Sequence, residues 1–269
     1  MGADDSPPLK AERLRNALRS GGLSLAYQPK ISIATGQLAG VEALARWHDR
    51  QFGWIEPAAF VPLAEKEGLI DELTDRGLVT ALDAWSSWRD TGLLTQISFN
   101  ISALSLAHLD FPDRVEELCR VRDIPTAHLT LELTESASQE IIPLIDTLTR
   151  FRIKGVSLAI DDFGTGFSSL VQLRRLPFTE IKIDRCFVHD ILVSEDSRAI
   201  VEAIIALARA LGLSTTAEGV GSSEALALLA TLGCDQAQGH FISPPITAAE
   251  VHEWAAAATG MPAGKARAL

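Results

Sequence analysis

The fold is decided by the stretch VSLAIDDFGTG, which runs from Val156 to Gly166. Its first five residues form a short apolar run bounded by turn residues, a pattern typical of a fully buried strand. The adjacent carboxylates of Asp161 and Asp162 repel each other unless one is protonated or both face a cation. The glycines beyond them give the following loop access to backbone angles that other residues avoid. The stretch therefore marks either the edge of an active site or a turn with two solvated aspartates.

The composition limits the partners that the chain can bind. With 269 residues, 47% of them hydrophobic, there is ample material for the core of one α/β barrel. The 24 basic residues stand against 35 acidic ones, which gives a net charge of -11. This balance argues against a broad surface for DNA, RNA or an anionic membrane. We expect any phosphate ligand to be held locally, by a few cations or metal ions.

The cysteines and the apolar runs bear on where the protein works. The three cysteines are scattered and show no Cys-x-x-Cys spacing, which argues against structural zinc and against a disulfide framework. Cys186 and Cys234 are interpreted as buried small hydrophobes. No apolar run approaches the roughly 18 residues of a membrane span, and the N-terminus lacks a signal-peptide pattern. We expect a cytoplasmic protein with no membrane segment in this chain.

Eight short strands are predicted, and most are followed by a helix. They are Leu23–Gln28, Leu38–Trp47, Gln96–Asn100, Leu129–Leu133, Val156–Ile160, Glu180–Ile183, Ser214–Ala217 and Ala237–Gly239. The simplest closed arrangement is a modified (β/α)₈ TIM-like barrel. Because only the turn region Pro29–Thr35 separates the first two strands, no helical crossover fits there, and the first strand is expected to be antiparallel. We predict a single domain over residues 1–269, with loose ends at 1–8 and 261–269.

Polar side chains recur at the ends of these strands, where the active residues of such barrels lie. The positions are Glu42, Asn100, Glu132, Asp161, Asp162, Lys182, Glu218 and Gln238. Carboxylates with an amide oxygen suit Mg²⁺ or Mn²⁺, whereas zinc would more often bring His or Cys. No histidine falls on this ring unless His240 reaches in from beyond Gln238. Asp161 is well placed to be shared by two cations, which predicts a two-metal centre that binds phosphate and activates water.

Three further assignments leave alternatives open. Gln28 and Arg46 come from the first two strands and could hold a phosphate or a base, although Arg46 could simply stack on Trp47. Lys182 alternates with two isoleucines, which places it on the same strand face as Asp184. A lone lysine there would more often be exposed to solvent, so the assignment of Lys182 depends on the rest of the ring.

Nine short motifs follow one another between about Leu14 and Ala258. They are Tyr27–Pro29, Glu42–Leu44, Phe60–Glu65, Asn100–Ser102, Leu131–Glu135, Asp161–Gly166, Lys182–Asp184, Ala217–Val220 and Gln238–Gly239. In this order they resemble the motifs of the EAL domain phosphodiesterases of cyclic di-GMP. The resemblance implies a bacterial enzyme that opens cyclic di-GMP to linear pGpG, on a modified barrel whose first strand is antiparallel.

The resemblance also implies a role for each matching residue. The metal ligands would be Glu42, Asn100, Glu132 and Asp161 for one ion, and Asp161 with Asp162 for the second. Lys182 would orient the attacking water and stabilise charge on phosphorus, and Glu218 would hold that water. Glu135 would tie down the loop after Asp162 and couple metal binding to dimer contacts. The residues assigned to the substrate are Gln28, Arg46, Asp184 and Gln238.

Several positions depart from the family's pattern, and one of them, Gly221, keeps a second hypothesis open. Gly221 stands where the family usually has another glutamate, a change that could slow turnover or alter the metal response. Gln236, His240 and Pro244 differ at the rim of the substrate site rather than at the metal ring. An active phosphodiesterase is the first hypothesis. The alternative is a catalytically silent EAL module that acts as a cyclic di-GMP receptor.

The resemblance extends to cofactors and partners. Two Mg²⁺ or Mn²⁺ ions are expected, and Ca²⁺ is expected to inhibit because its looser coordination misplaces the nucleophile. Cyclic di-GMP is the expected ligand. We also expect a homodimer, with an upstream sensor or regulatory domain in a longer signalling protein that could be attached to a membrane.

Overall fold

The computed structural model describes residues 10–134, 141–165 and 170–258. Its strands are β1 (Leu23–Ser32), β2 (Leu38–Asp49), β3 (Gly53–Ile55), β4 (Gln96–Asn100), β5 (Leu129–Thr134), β6 (Ser157–Phe163), β7 (Glu180–Ile183), β8 (Ser214–Ala217) and β9 (Gln236–Gln238). The segments 1–8 and 261–269, which were expected to be loose ends, lie outside the described residues.

The helices surround these strands. They are α1 (Ala11–Ser20), α2 (Pro57–Lys66), α3 (Ile70–Asp90), α4 (Ala103–Leu106), α5 (Phe111–Arg120), α6 (Ile141–Ile153), α7 (Leu170–Arg175), α8 (Arg185–His189), α9 (Glu195–Leu211), α10 (Ser223–Leu232) and α11 (Ala248–Ala258), with a 3₁₀ turn at Thr126–His128. Among the described residues, no helix combines the length and the apolar character needed to cross a membrane.

Eight of the strands close into a barrel. Their order is β1, β9, β8, β7, β6, β5, β4 and β2, and β2 pairs again with β1. β1 runs antiparallel to both neighbours, whereas the other neighbouring strands of the ring are parallel. The predicted barrel with a reversed first strand is therefore confirmed. Outside the ring, β3 forms a short hairpin with the end of β2, an element that the sequence pattern did not predict.

β1 is longer than predicted, because part of the expected turn belongs to it. Pro29 pairs with Val41 and Lys30 with Gly40, and the register shifts just after Lys30. The fixed φ of proline is compatible with an extended strand, and its missing N–H costs least beside a bulge. Lys30 thereby enters the barrel, where only 2% of its surface is exposed.

Apolar packing lies mainly between the strands and the helices. The larger cluster includes Val41, Trp85, Leu131, Leu148, Leu158 and Ile181. A smaller cluster joins α1 and α2 to the end of β2 through Leu14, Leu18, Trp47 and Phe60. Each fully buried side chain of this size contributes about 1.5–3 kcal/mol. Because this outer layer supplies most of the apolar burial, the interior of the barrel can hold polar residues.

Candidate metal centre

A β-bulge in β6 turns two consecutive carboxylates toward the same opening of the barrel. β6 pairs with β7 at Ile160 and again at Phe163, a three-residue step that matches two residues of β7. The extra residue is accommodated at Asp162, whose φ of 54° is left-handed, a conformation that aspartate adopts more readily than bulky residues. In a regular strand, Asp161 and Asp162 would point to opposite faces. The bulge therefore makes a paired acidic site possible.

Five carboxylates converge at this opening and form two groups that share one member. One group consists of Glu42, Glu132 and Asp161, and the other of Asp161, Asp162 and Glu218. Within each group, one oxygen of each side chain lies within 4.8 Å of the others. Asp161 belongs to both groups. It is the residue whose carboxylate was predicted from the sequence to be shared by two cations.

Hydrogen bonds fix the amide side chains around Glu42. Asn100 Nδ2 donates to Glu42 Oε1, and Gln238 Nε2 donates to Glu42 Oε2, both at 2.7 Å. Gln238 Nε2 also donates to Gln28 Oε1 at 2.9 Å, and Gln28 donates to the carbonyl of Ser243 at 3.0 Å. Because the nitrogen of the Asn100 amide faces Glu42, its carbonyl oxygen is the atom that remains for a cation. The buried Oε1 of Gln238 accepts no hydrogen bond from the described residues.

Lys182 lies at the centre of the carboxylates and is completely buried. Its Nζ is 2.6 Å from Glu132, 2.7 Å from Glu218, 3.1 Å from Asp161 and 3.4 Å from Glu42. Burial alone would lower the pKa of this lysine, but the four carboxylates raise that pKa well above its usual value. Lys182 is therefore a permanent cation inside the ring.

The five carboxylates of the ring carry more negative charge than Lys182 and the neighbouring Lys30 can neutralise. Burial and the neighbouring Glu132 raise the pKa of Glu42 to about 7. Burial also raises the pKa of Glu218 well above its usual value. Burial acts on Glu132 in the same direction, but the charges of Lys182 and Lys30 outweigh it and lower its pKa to about 2. Protons or bound cations must supply the remaining positive charge.

Asp162 and Asp184 form a carboxyl pair at the rim of the ring. Burial and the charge of Asp161 raise the pKa of Asp162 to about 6, and a hydrogen bond with Asp184 adds to the shift. Burial raises the pKa of Asp184 too, but hydrogen bonds from Cys186 and Asp162 make its net shift downward. The backbone N–H of Cys186 donates to Asp184 Oδ1 at 2.8 Å. Of the two carboxyls, Asp162 is therefore the one that keeps its proton to higher pH.

The donor set fits a hard divalent cation. Within the described residues, both groups consist of carboxylates alone, and the free amide oxygen of Asn100 adds a neutral oxygen donor beside Glu42. Oxygen donors of this kind suit Mg²⁺ and Mn²⁺, whereas zinc and copper favour nitrogen and sulfur. The excess negative charge gives such cations an electrostatic reason to bind.

A cavity of about 790 Å³ opens over the carboxylates. The predicted site residues that line it are Gln28, Glu42, Asp161, Asp162, Asp184, Glu218 and Gln238. His240 and Gly221 line it as well, so His240 lies at the cavity without belonging to either carboxylate group. Cys186 is also part of the lining and is exposed, so its interpretation as a buried hydrophobe was wrong, whereas Cys234 is buried as expected. The turn that starts α8 places Cys186 at the surface.

A second cavity adjoins the first. Its volume is about 1220 Å³, and it shares Leu44, Asp161 and Asp162 with the smaller cavity. Most of its lining is apolar and comes from α2, α3, the start of β1, the middle of β2 and the end of β4. The barrel opening thus offers a polar space above the carboxylates and an apolar space beside it.

Two predicted site residues are not brought into this arrangement. Arg46 lines neither of these two cavities, and its Nη1 donates to the carbonyl of its neighbour Ala45 at 2.9 Å. Its assignment to the substrate stays a prediction. Glu135 lies outside the described residues, so its role in the loop after Asp162 also stays a prediction.

Sequence reasoning missed a second polar layer inside the barrel. We call it the lower network and define it as Lys30, Ser98, Glu180 and Thr216, all of which are buried. Ser98, Glu180 and Thr216 each stand two residues before a member of the ring, namely Asn100, Lys182 and Glu218. Because alternate residues of a strand share a face, this spacing was the available signal. Lys30 gave no such signal, because it fell in a predicted turn.

The fold and the site together define a class: a β/α barrel with a carboxylate-rich candidate site for two cations at the carboxyl ends of its strands. Comparison with known proteins narrows this class. The EAL domain family model matches residues 11–245. Since this match covers most of the chain, the protein belongs to the EAL domain family, and the resemblance seen in the motifs is confirmed.

Two curated relatives from Pseudomonas aeruginosa are similar over most of the chain. Identity is 37% over 234 residues with the cyclic di-GMP phosphodiesterase PA2567, covering 87% of this chain and 40% of that protein. It is 41% over 240 residues with the bifunctional diguanylate cyclase/cyclic di-GMP phosphodiesterase MucR, covering 88% and 35%. The chain thus spans less than half the length of these relatives.

A solved structure shares the fold at high similarity. The PaMucR phosphodiesterase in complex with c-di-GMP superposes with a TM-score of 0.85 at 40% identity, over 89% of this chain and 98% of that chain.

Proposed function

We propose that this chain is a metal-dependent phosphodiesterase that hydrolyses cyclic di-GMP to linear pGpG. The observation that carries the proposal is the sharing of Asp161 between two carboxylate groups, four of whose five members line a cavity at the barrel opening. The names of the two relatives support the reaction, and the PaMucR complex supports the ligand.

Different side chains have different roles in the proposed reaction. When bound, two Mg²⁺ or Mn²⁺ ions would polarise the phosphodiester and lower the pKa of a water molecule. Lys182 offers a buried, permanent positive charge to the negative charge that develops on phosphorus. Glu218 lines the cavity and accepts a hydrogen bond from the attacking water. Hydrolysis adds this water across one P–O bond: the hydroxyl goes to phosphorus, and the proton goes to the departing sugar oxygen.

The polar residues above the ring are assigned to the substrate. The buried Oε1 of Gln238 has no donor among the described residues and is offered to an N–H or O–H group of the ligand. Gln28 holds Gln238 in place, and Asp184 lines the same cavity. Arg46 is assigned to a phosphate or a base of the substrate. The larger, mostly apolar cavity offers a site where a guanine base could be buried away from water.

The test is incubation of the purified chain with cyclic di-GMP and Mg²⁺ or Mn²⁺, with pGpG followed by chromatography. An excess of chelator is the control. We expect pGpG to form with the metal and not with the chelator. Absence of pGpG under all metal conditions would overturn the proposal.

A receptor without activity is the second candidate, and Gly221 is the observation that favours it. Gly221 lines the cavity above the ring, at a position where the family usually places a carboxylate. Saturable binding of cyclic di-GMP without product would establish this alternative. Because every predicted metal ligand is present, we keep the enzyme as the first proposal.

The setting of the domain is proposed from the resemblance and from the length of the curated relatives. We propose that the chain acts as one EAL unit in the cytoplasm, as a homodimer, under an upstream sensor or regulatory domain. This chain matches only 40% and 35% of the length of the two curated relatives, which supports the proposal that the domain works within a longer protein. Sedimentation of the purified chain with and without Mn²⁺ tests the dimer.

A further inference from the structure

The lower network is tied together by Lys30. Its Nζ donates to Ser98 Oγ at 2.6 Å and to Glu132 Oε1 at 3.3 Å, and lies 3.9 Å from Glu180 Oε1. Glu180 in turn accepts a hydrogen bond from Thr216 Oγ1 at 2.6 Å. Among these contacts, the one with Glu132 crosses from the lower network into the candidate metal centre.

The strand pairing places a glycine beside the lysine stem. Lys30 of β1 faces Gly40 of β2 across the antiparallel ladder. A Cβ placed on Gly40 would lie 3.6 Å from Cε of Lys30 and 3.0 Å from Cβ of Gln96. A side chain at this position would therefore crowd Gln96 of β4, whereas its distance from Lys30 would be an ordinary van der Waals contact.

Glu132 is held by two lysines, one on each carboxylate oxygen. Lys182 Nζ lies 2.6 Å from Oε2, and Lys30 Nζ lies 3.3 Å from Oε1. The side chain of Glu132 is completely buried. The last torsion of a glutamate is intrinsically broad, so the plane of this carboxylate must be fixed by its contacts.

We propose that Lys30 is a positioning residue for the metal ligand Glu132. From below, Lys30 holds Oε1, so that Oε2 is the oxygen presented to Glu42, Asp161 and a bound cation. The inference rests on the proposed function, because it assumes that Glu132 binds a divalent cation. It adds a residue that touches neither the cavity nor the substrate.

A purely structural role would make Lys30 the counter-ion of Glu180. The distances place Lys30 on Glu132 at 3.3 Å rather than on Glu180 at 3.9 Å, although both carboxylates raise the pKa of Lys30 and its charge therefore also compensates Glu180. Without the ammonium, Oε1 of Glu132 would lose its charge-assisted donor, and Lys182 on Oε2 would be the one lysine left to orient the carboxylate. Loss of a residue that orients a metal ligand typically costs 10–100-fold in metal affinity or activity.

The test uses three variants and measures Mn²⁺ binding directly. Lys30→Met removes the ammonium at similar volume. Lys30→Met with Glu180→Gln removes both charges and restores the charge balance of the lower network. Lys154→Met is the matched control, because Lys154 pairs with Asp113 and Glu116 at the surface. Isothermal titration of metal-free protein with Mn²⁺ gives the affinity, and circular dichroism and thermal melting report the fold.

We expect Lys30→Met to weaken Mn²⁺ binding about 10–100-fold, with the control unchanged. Turnover at fixed Mn²⁺ should fall by a similar factor, while KM for cyclic di-GMP changes less than about threefold. The double variant should recover the melting temperature but not the Mn²⁺ affinity. If Lys30→Met fails to fold, the double variant carries the test, and Ser98→Ala should weaken Mn²⁺ binding in the same direction by less.

Three results would overturn the inference, and the first two leave the proposed function standing. Equal Mn²⁺ affinity in the unmodified chain and Lys30→Met would remove the positioning role alone. Recovery of Mn²⁺ affinity in the double variant would show that charge balance, and not the contact with Glu132, is what matters. No Mn²⁺ binding by the unmodified chain would overturn the two-cation centre and this inference together.

Discussion

The Nζ of Lys182 lies 2.6 Å from Oε2 of Glu132, and both side chains are completely buried. This ion pair is the centre of the candidate site, because the same nitrogen also contacts Glu218, Asp161 and Glu42. Lys182 therefore holds together carboxylates that would repel one another without it.

Removing this cation should destabilise the chain unless metal is present. Lys182→Met leaves several buried carboxylates unpaired, and breaking a buried ion pair typically costs 3–5 kcal/mol. We expect the free energy of unfolding in chelator to fall by about that amount, with partial recovery in Mn²⁺ because the metal binds only the folded state. Urea denaturation with and without Mn²⁺ measures both effects.

The kinetic effect of the same variant should separate turnover from binding. Lys182→Met is expected to lower kcat by more than it raises KM, because the ammonium acts on charge that develops during the reaction. The surface variant Lys154→Met should stay within about 1 kcal/mol of the unmodified chain in stability. A Lys182→Met enzyme with normal kcat would contradict the role assigned to Lys182.

Asp161 should be indispensable for hydrolysis but not for folding. Asp161→Asn removes the charge shared by both carboxylate groups, and we expect pGpG formation to fall by at least about 100-fold. The matched control is Asp146→Asn, at an exposed position of α6. Unchanged turnover in Asp161→Asn, with circular dichroism equal to that of the control, would rule out the shared carboxylate.

The stability of the metal-free chain should fall as the pH rises from about 4.5 to about 7. The pKa of Glu42 is raised from 4.5 to about 7 in the folded chain, so in this window the folded state binds more protons than the unfolded state. The stabilisation that comes from this proton is complete at pH values below the pKa of Glu42 in the unfolded chain. It is lost as the pH rises through the pKa of Glu42 in the folded chain. Asp162, whose pKa is raised to about 6, contributes to the same loss of stability up to that pH. Thermal melting in chelator between pH 5 and pH 8 measures the slope.

Mn²⁺ should bind more tightly as the pH rises through the same window. The metal must displace the proton that Glu42 retains, so affinity increases until that carboxylate is ionised.

Glu42→Gln is the control for the predicted pH dependence of stability and should flatten the slope of stability against pH. A melting temperature that rises steadily from pH 5 to pH 7, or an unchanged slope in Glu42→Gln, would be inconsistent with the raised pKa.

Gly221 should accept a glutamate without strain. A Cβ at Gly221 meets only the carbonyl of Gly219, at 4.0 Å, so the cavity has room for the longer side chain. We expect Gly221→Glu to fold with a stability change within about 0.5 kcal/mol and to raise turnover by up to about 10-fold. Gly221→Gln controls for size without charge. Equal or lower turnover in Gly221→Glu than in Gly221→Gln would show that the missing carboxylate does not limit this chain.

Calcium should bind to the site without supporting hydrolysis. Ca²⁺ takes more oxygen ligands at longer and looser distances than Mg²⁺, so the nucleophile would be misplaced. Added to a reaction with Mg²⁺, it is expected to inhibit in competition with that ion. Turnover with Ca²⁺ alone at the rate seen with Mg²⁺ would contradict this expectation.

The barrel could be predicted from the sequence because its signals are local. Apolar runs mark most of the strands, and the short link between β1 and β2 leaves no room for a crossover, which makes β1 antiparallel. The ring residues followed from the same reading, since active residues of such barrels lie at strand ends.

The remaining features depend on pairing between distant parts of the chain. The bulge at Asp162 exists only relative to β7, and a local pattern cannot reveal the register of two strands. Lys30 follows a proline and was taken for part of a turn, yet β1 continues through it because Val41 and Gly40 pair with that segment. Glu180 is the first residue of a predicted strand, and its polar contacts inside the barrel come from Thr216 and Lys30 on two other strands.

The most direct measurement on the proposed centre is anomalous diffraction from crystals of the chain grown with Mn²⁺. We predict two Mn²⁺ peaks that share an oxygen ligand from Asp161, the first also bound by Glu42, Asn100 and Glu132, and the second by Asp162. A single peak, or two peaks without Asp161 between them, would contradict the two-cation centre.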